Sequence, residues 1–264
     1  MSIRIFDTPE MLYEAAATAV VRLANDAVAA RGRFLLVLSG GQTPLPLFER
    51  LAQPECVHEL PWEQTHVFWA DERLVPPDDE ASNFGQARRV LLRHVPIPEE
   101  QIHPVNGVLE PEGAASAYAK ELAGLAEPGL PWPRFDLVLL GLGADGHTAS
   151  IFPGIAGELP DDAPVFALDA GYQDRPARRI TLTPAAINDS REVIFLVTGK
   201  DKAEALTRAL TPGASSEVAP ARLIRPLNGS LSWFVDRDAA SLLDDGSASR
   251  QHEEGHSPRG DSHD

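Results

Sequence analysis

His147 and Asp145 stand two residues apart in the stretch Phe135 to Gly154, FDLVLLGLGADGHTASIFPG. An imidazole beside a carboxylate can take a proton from water and pass it on, because imidazole titrates near neutral pH. The run Leu137-Val138-Leu139-Leu140 ahead of the pair has the continuous apolar character of a strand buried on both faces of a parallel sheet. Gly141, Gly143 and Gly146 then let the backbone turn sharply or approach a ligand closely. The pair therefore falls at the carboxyl end of a buried strand, the edge at which open α/β sheets hold their ligands. A loop histidine is more commonly a surface or capping residue, and an aspartate there can simply hold a turn. Position at a strand end is what favours chemistry.

A second group of residues could hold an anion. Ser39-Gly40-Gly41-Gln42-Thr43-Pro44 lies between an apolar run, Phe34 to Leu38, and a helix expected from Pro44 through Leu51. Backbone N–H groups, the positive end of that helix and the hydroxyls of Ser39 and Thr43 would cradle a phosphate; the plainer alternative is an ordinary strand-to-helix turn. Asp71-Glu72-Arg73 closes a third buried run, His66 to Ala70, and Lys200 and Lys202 follow a fourth, Glu192 to Thr198. Lysines at a helix start oppose the helix dipole. An anion held there would account for them, as would simple tolerance of exposed lysines.

Other chemistries find little support. Gly141 to Gly146 matches G-x-G-x-x-G, but Pro153-Gly154 interrupt the helix that a dinucleotide fingerprint requires. The sequence has no Walker spacing, no G-x-S-x-G elbow and no H-E-x-x-H metal motif. Cys56 is its single cysteine, which excludes an intrachain disulfide and a cysteine-cluster metal site. The 39 acidic and 23 basic residues give a net charge of −16, a field that repels phosphate backbones and argues against a nucleic-acid partner. A local pocket of amides and cations can still bind a small phosphorylated ligand.

These groups need a scaffold. Thr8 caps a helix expected over Pro9 to Ala30, and further helices are expected over about 84–92, 112–125, 185–188 and to Leu210 after the lysines. Strands are expected at 3–6, 34–38, 66–70, 137–140, 179–183, 192–198 and 230–235. The alternation implies an α/β domain with a mostly parallel sheet and helices on both faces, Rossmann-like. With 264 residues, 43% of them hydrophobic, the chain can bury a large core. We expect one domain over 1–240 and a disordered polar tail over 241–264, where six acidic residues and two arginines sit among serine, glycine and histidine. No apolar run approaches the length of a membrane span and no signal peptide is visible, so a cytoplasmic protein is expected.

The motifs SGGQTP (39–44), ADER (70–73) with SNFG (82–85), LGLGADGHTASIFPG (140–154), RITLT (179–183) and VTGKDKAEAL (197–206) together resemble the 6-phosphogluconolactonase family. They occur in the family's order across roughly residues 5–238. The resemblance implies hydrolysis of a sugar-phosphate lactone without a cofactor or metal, on a fold related to glucosamine-6-phosphate deaminase. It implies His147 as general base, with Asp145 orienting it. It implies Arg73 and Lys202 as phosphate ligands, assisted by Ser39, Gly40, Gly41 and Thr43, and a substrate-side position for Arg179. Lys200 is the less favoured lysine. The deaminases share the SGG-x-TP and G-x-DGH loops, but carry Asp-Glu-Tyr in place of Asp71-Glu72-Arg73 and a glutamate in place of Phe152. Deaminase activity, or a non-catalytic sugar-phosphate sensor, is the alternative. The expected assembly is a monomer or weak homo-oligomer.

Overall fold

The computed structural model describes residues 1–171 and 176–243. The chain runs β1 (Ser2–Phe6), α1 (Pro9–Arg31), β2 (Phe34–Leu38), α2 (Leu45–Leu51), α3 (Pro54–Glu59), β3 (Thr65–Trp69) and β4 (Asp71–Arg73). It continues α4 (Asn83–Val90), α5 (Pro111–Gly124), β5 (Leu137–Gly141), β6 (Val165–Asp169), β7 (Arg178–Leu182), α6 (Pro184–Asn188), β8 (Glu192–Val197), α7 (Ala203–Leu210) and β9 (Ser230–Asp236). Six strands form a parallel sheet in the order β1-β9-β8-β5-β2-β3, and β4-β7-β6 form a small antiparallel sheet. From β2 the chain steps outward to β3, whereas β5 adds on the other side of β2 and β8 and β9 follow it. The direction of winding therefore reverses between β2 and β5, and a crevice opens at such a reversal.

Continuous apolar strands are what a sheet covered on both faces demands. Side chains alternate, so Leu35, Val37, Val138, Leu140, Val193 and Phe195 enter one core with α5, α6, α7 and the small sheet. Phe34, Leu36, Leu38, Leu137, Leu139, Ile194 and Leu196 enter the other, beneath α1, α2, α3 and α4. Thr8 caps α1 by accepting the Met11 N–H, and Gly32, at φ +75°, ends it. At the amino end of β5, the buried Asp136 accepts hydrogen bonds from Arg31 and the Leu35 amide, and pairs with Arg191. The outer side of β3 is closed by two contacts: Tyr118 Oη accepts from the Trp69 N–H and donates to the Trp69 carbonyl, and the His103 N–H donates to the Val67 carbonyl.

The main correction to the expected layout concerns Asp71-Glu72-Arg73. These residues form a buried strand of the second sheet rather than a strand end, paired antiparallel with Arg179 to Thr181. Ala70 is the joint, donating its N–H to Leu38 O in one sheet and accepting from Leu182 N in the other. Ile102 forms a single parallel bridge with Val67. The tail expected over 241–264 lies, from residue 244 onward, outside the described residues; Leu243 packs against the core.

Phe195 and Trp233 stack at 3.9 Å between ring centres, both buried, at the middle of the β8–β9 pair. Phe195→Ala should therefore cost about 3–5 kcal/mol of unfolding free energy, measurable by urea denaturation.

Candidate active site

β5 ends at Gly141, and the loop that follows turns back on itself by two hydrogen bonds: Gly143 N–H to His147 O, and Gly146 N–H to Gly143 O. The turn requires its glycines for different reasons. A side chain on Gly143 would place its Cβ 2.0 Å from His147 Nδ1, and Gly146 sits at φ +95°. Folded this way, the loop brings Asp145 Oδ1 to 2.5 Å from His147 Nδ1 and lets the same oxygen accept the His147 N–H at 3.1 Å. Partial burial works to raise the pKa of Asp145, but the hydrogen bonds and charge of His147 outweigh it and hold the carboxyl below its ordinary value. Asp145 is therefore a carboxylate at neutral pH, and it fixes the imidazole with Nδ1 as the protonated nitrogen.

Phe152 packs on the imidazole at 4.7 Å between ring centres, tilted by 39°, and the Arg179 guanidinium lies over the Phe152 ring at 5.3 Å. Phe152 thus touches both His147 and Arg179. Arg179 is directly opposite Arg73 in the β4–β7 pairing, and both are buried. One Arg73 amino group donates to the Ala81 carbonyl at 2.7 Å. Lys202, at the carboxyl end of β8 beside β5, is half-buried with its ammonium 3.1 Å from Asp201, whereas Lys200 is exposed.

The Ser39 loop lies across the winding reversal from His147. The Ser39 hydroxyl donates to Leu139 O at 2.6 Å, so the proton expected for an anion instead ties β2 to β5. Thr43 does not cap α2, which begins behind Pro44 without a side-chain cap. Gly40 is tightly enclosed, since a Cβ there would fall 1.8 Å from Asn83 Oδ1, and Gly41 takes φ +92°. Glu72, Asn83 and Ser150 lie within motifs quoted from the sequence, but no site role was expected of them. Asn83 Nδ2 donates to the Asp71 carbonyl at 2.7 Å and its carboxylate at 3.2 Å. The Glu72 carboxylate accepts from the amides of Arg73, Asn83 and Phe84 and from Ser82 Oγ, closing the start of α4. The SNFG motif contained part of this arrangement; nothing local marked Ser150.

A mostly parallel, doubly covered sheet with an imidazole–carboxylate pair beyond the carboxyl end of β5, and two buried arginines paired in the small sheet, defines an α/β enzyme fold. The chain belongs to the glucosamine-6-phosphate isomerase/6-phosphogluconolactonase family, whose model matches residues 7–233. It is 43% identical over 249 residues to 6-phosphogluconolactonase of Mycobacterium tuberculosis, covering 92% of this chain and 98% of that protein. The structure of the Trypanosoma brucei 6-phosphogluconolactonase superposes with a TM-score of 0.80 at 32% identity, covering 92% and 98% of the two chains. A monomeric glucosamine-6-phosphate deaminase shares the fold, with a TM-score of 0.79 at 22% identity over 92% of this chain and 100% of its own. Among the described residues no cluster of three metal-ligating side chains occurs, and no helix is long and apolar enough to cross a membrane.

Burial raises the Glu72 carboxyl to about 7, opposed by the amides of Phe84, Asn83 and Arg73 and reinforced by the Asp71 charge. The ordinary value is 4.5, so between pH 4.5 and about 7 the folded chain binds a proton that the unfolded chain releases. That stabilisation is complete below pH 4.5 and lost as pH rises through about 7. Urea unfolding of the parent and of Glu72→Gln at a series of pH values should show the parent losing stability relative to the variant as pH rises from 4.5 to about 7.

Proposed function

We propose that His147 is the general base in the hydrolysis of 6-phospho-D-glucono-1,5-lactone to 6-phosphogluconate. The reaction class follows from the family and from the lactonases matched over 92% of the chain: this is a hydrolase acting on a lactone ester, a step of the oxidative pentose phosphate pathway. The observation that carries the residue assignment is the Asp145–His147 contact at the carboxyl end of β5. With Nδ1–H directed to Asp145, Nε2 is the nitrogen that takes the proton of the attacking water. Water adds to C1, the carbonyl oxygen becomes an oxyanion, and on collapse the protonated imidazole gives its proton to the departing ring oxygen. The carboxylate of Asp145 stabilises the imidazolium between those two transfers.

The phosphate of the substrate is held by Arg73 and Lys202, with the Ser39–Thr43 turn contributing backbone amides at the opposite wall of the crevice. Arg179, layered over Phe152, adds positive charge beside the imidazole. Phe152 has no proton to give or take, which leaves deamination without an acid–base group at that position. The enzyme works in the cytoplasm as a monomer or weak homo-oligomer, with residues 1–240 as its catalytic domain and 241–264 as a polar tail.

The lactone can be generated in place from glucose 6-phosphate and its loss followed against the spontaneous rate. His147→Ala should lower kcat by about 10²-fold or more with KM little changed; undiminished kcat would remove His147 from the mechanism. Lys202→Ala should raise KM by about tenfold while leaving kcat near its original value. A KM unaltered by that substitution would exclude Lys202 as a phosphate ligand.

A further inference from the structure

The loop carrying His147 does not end its attachments at Asp145. Three residues beyond His147, Ser150 is completely buried and makes two hydrogen bonds to the small sheet. Its hydroxyl donates to Asp71 Oδ2 at 2.7 Å, and its N–H donates to Thr181 Oγ1 at 3.3 Å. Asp71 and Thr181 are register partners across β4 and β7, so both bonds reach the same rung. Between His147 and Ser150 lie Thr148, whose hydroxyl donates to Gly141 O at 2.9 Å, and Ala149, at φ +48°. A left-handed alanine is strained and persists only where its neighbours are held firmly on both sides. Thr148 ties one side to β5, and Ser150 ties the other to β4.

Asp71 is joined to the opposite wall as well. Its carbonyl and Oδ1 accept from Asn83 Nδ2, and Asn83 is the side chain against which Gly40 closes. One buried carboxylate therefore spans the loop of the imidazole and the turn beyond the winding reversal, using one oxygen for each.

We infer that Ser150 is a positioning residue for the reaction: its hydroxyl, donating to Asp71, fixes the backbone that aims His147 at the substrate. The inference rests on His147 being the general base. Asp71 acts in it as a hydrogen-bond acceptor, and its negative charge has no part in proton transfer. An asparagine at that position keeps an oxygen for the Ser150 hydroxyl; an alanine does not.

Three variants separate the possibilities: Ser150→Ala, Asp71→Ala and Asp71→Asn, each checked for folding by circular dichroism and assayed well below its thermal midpoint. In Ser150→Ala and in Asp71→Ala kcat should fall about tenfold, since small misplacement of a reacting group is costly. KM should stay within about twofold, the Ser150→Ala/Asp71→Ala double variant should fall no further than either single one, and Asp71→Asn should recover most of the lost kcat. A folded Ser150→Ala enzyme with undiminished kcat overturns the inference, and so does a loss confined to KM. Asp71→Asn as inactive as Asp71→Ala also overturns it, because an acceptor restored to the Ser150 hydroxyl would then be without effect on kcat. Should Ser150→Ala fail to fold, the comparison of the two Asp71 variants decides. Undiminished kcat in His147→Ala would mark failure of the underlying mechanism; its loss there with full activity in Ser150→Ala would mark failure of this inference alone.

Discussion

Everything at the candidate site depends on a steric constraint at Gly143. The imidazole of His147 occupies the space that any side chain at that position would need. Only with that space open can the loop double back far enough for Asp145 to meet Nδ1 at 2.5 Å. The tautomer of the imidazole, the orientation of its other nitrogen and the packing of Phe152 against its face all descend from that fit. A backbone requirement thus determines the protonation chemistry, and the apolar run of β5 supplies the rigid support from which the loop departs.

The site also depends on where the sheet changes direction. Ser39 and His147 come from adjacent strands whose following segments leave in opposite directions, which keeps the space above their carboxyl ends open. The small antiparallel sheet supplies the remaining wall. Its buried charged residues are stable there because each carboxylate meets several donors: Glu72 has four, and Asp71 has Ser150 and Asn83. The net charge of −16 is compatible with the proposed phosphate site, since local geometry governs such a site more than net charge does.

Much of this was legible in the amino-acid order because it is written in local patterns. Strand β2 has the bounds that its apolar run implies, Phe34–Leu38, and α1 has the cap expected of Thr8. The Asp145–His147 pair was visible because its partners are two residues apart. The strand Asp71–Arg73 was not, because three charged residues offer no apolar alternation and are buried only by virtue of partners elsewhere in the chain. Ser150 and Asp71 are 79 positions apart, and Thr181 lies 31 beyond Ser150; nothing in a short window connects them. The hydroxyl of Ser39 showed the opposite difficulty, since its type suited an anion while its position gave it to a neighbouring carbonyl.

The closure of β3 bears on how such a molecule behaves when crowded. A parallel sheet must stop somewhere, and its last strand ordinarily presents a row of open amides and carbonyls to any passing chain. Here Tyr118 takes both main-chain groups of Trp69 with one hydroxyl, and His103 covers Val67. That border therefore offers no template for another copy to extend the sheet, and the chain is protected along it from the strand-by-strand growth that leads to fibrils.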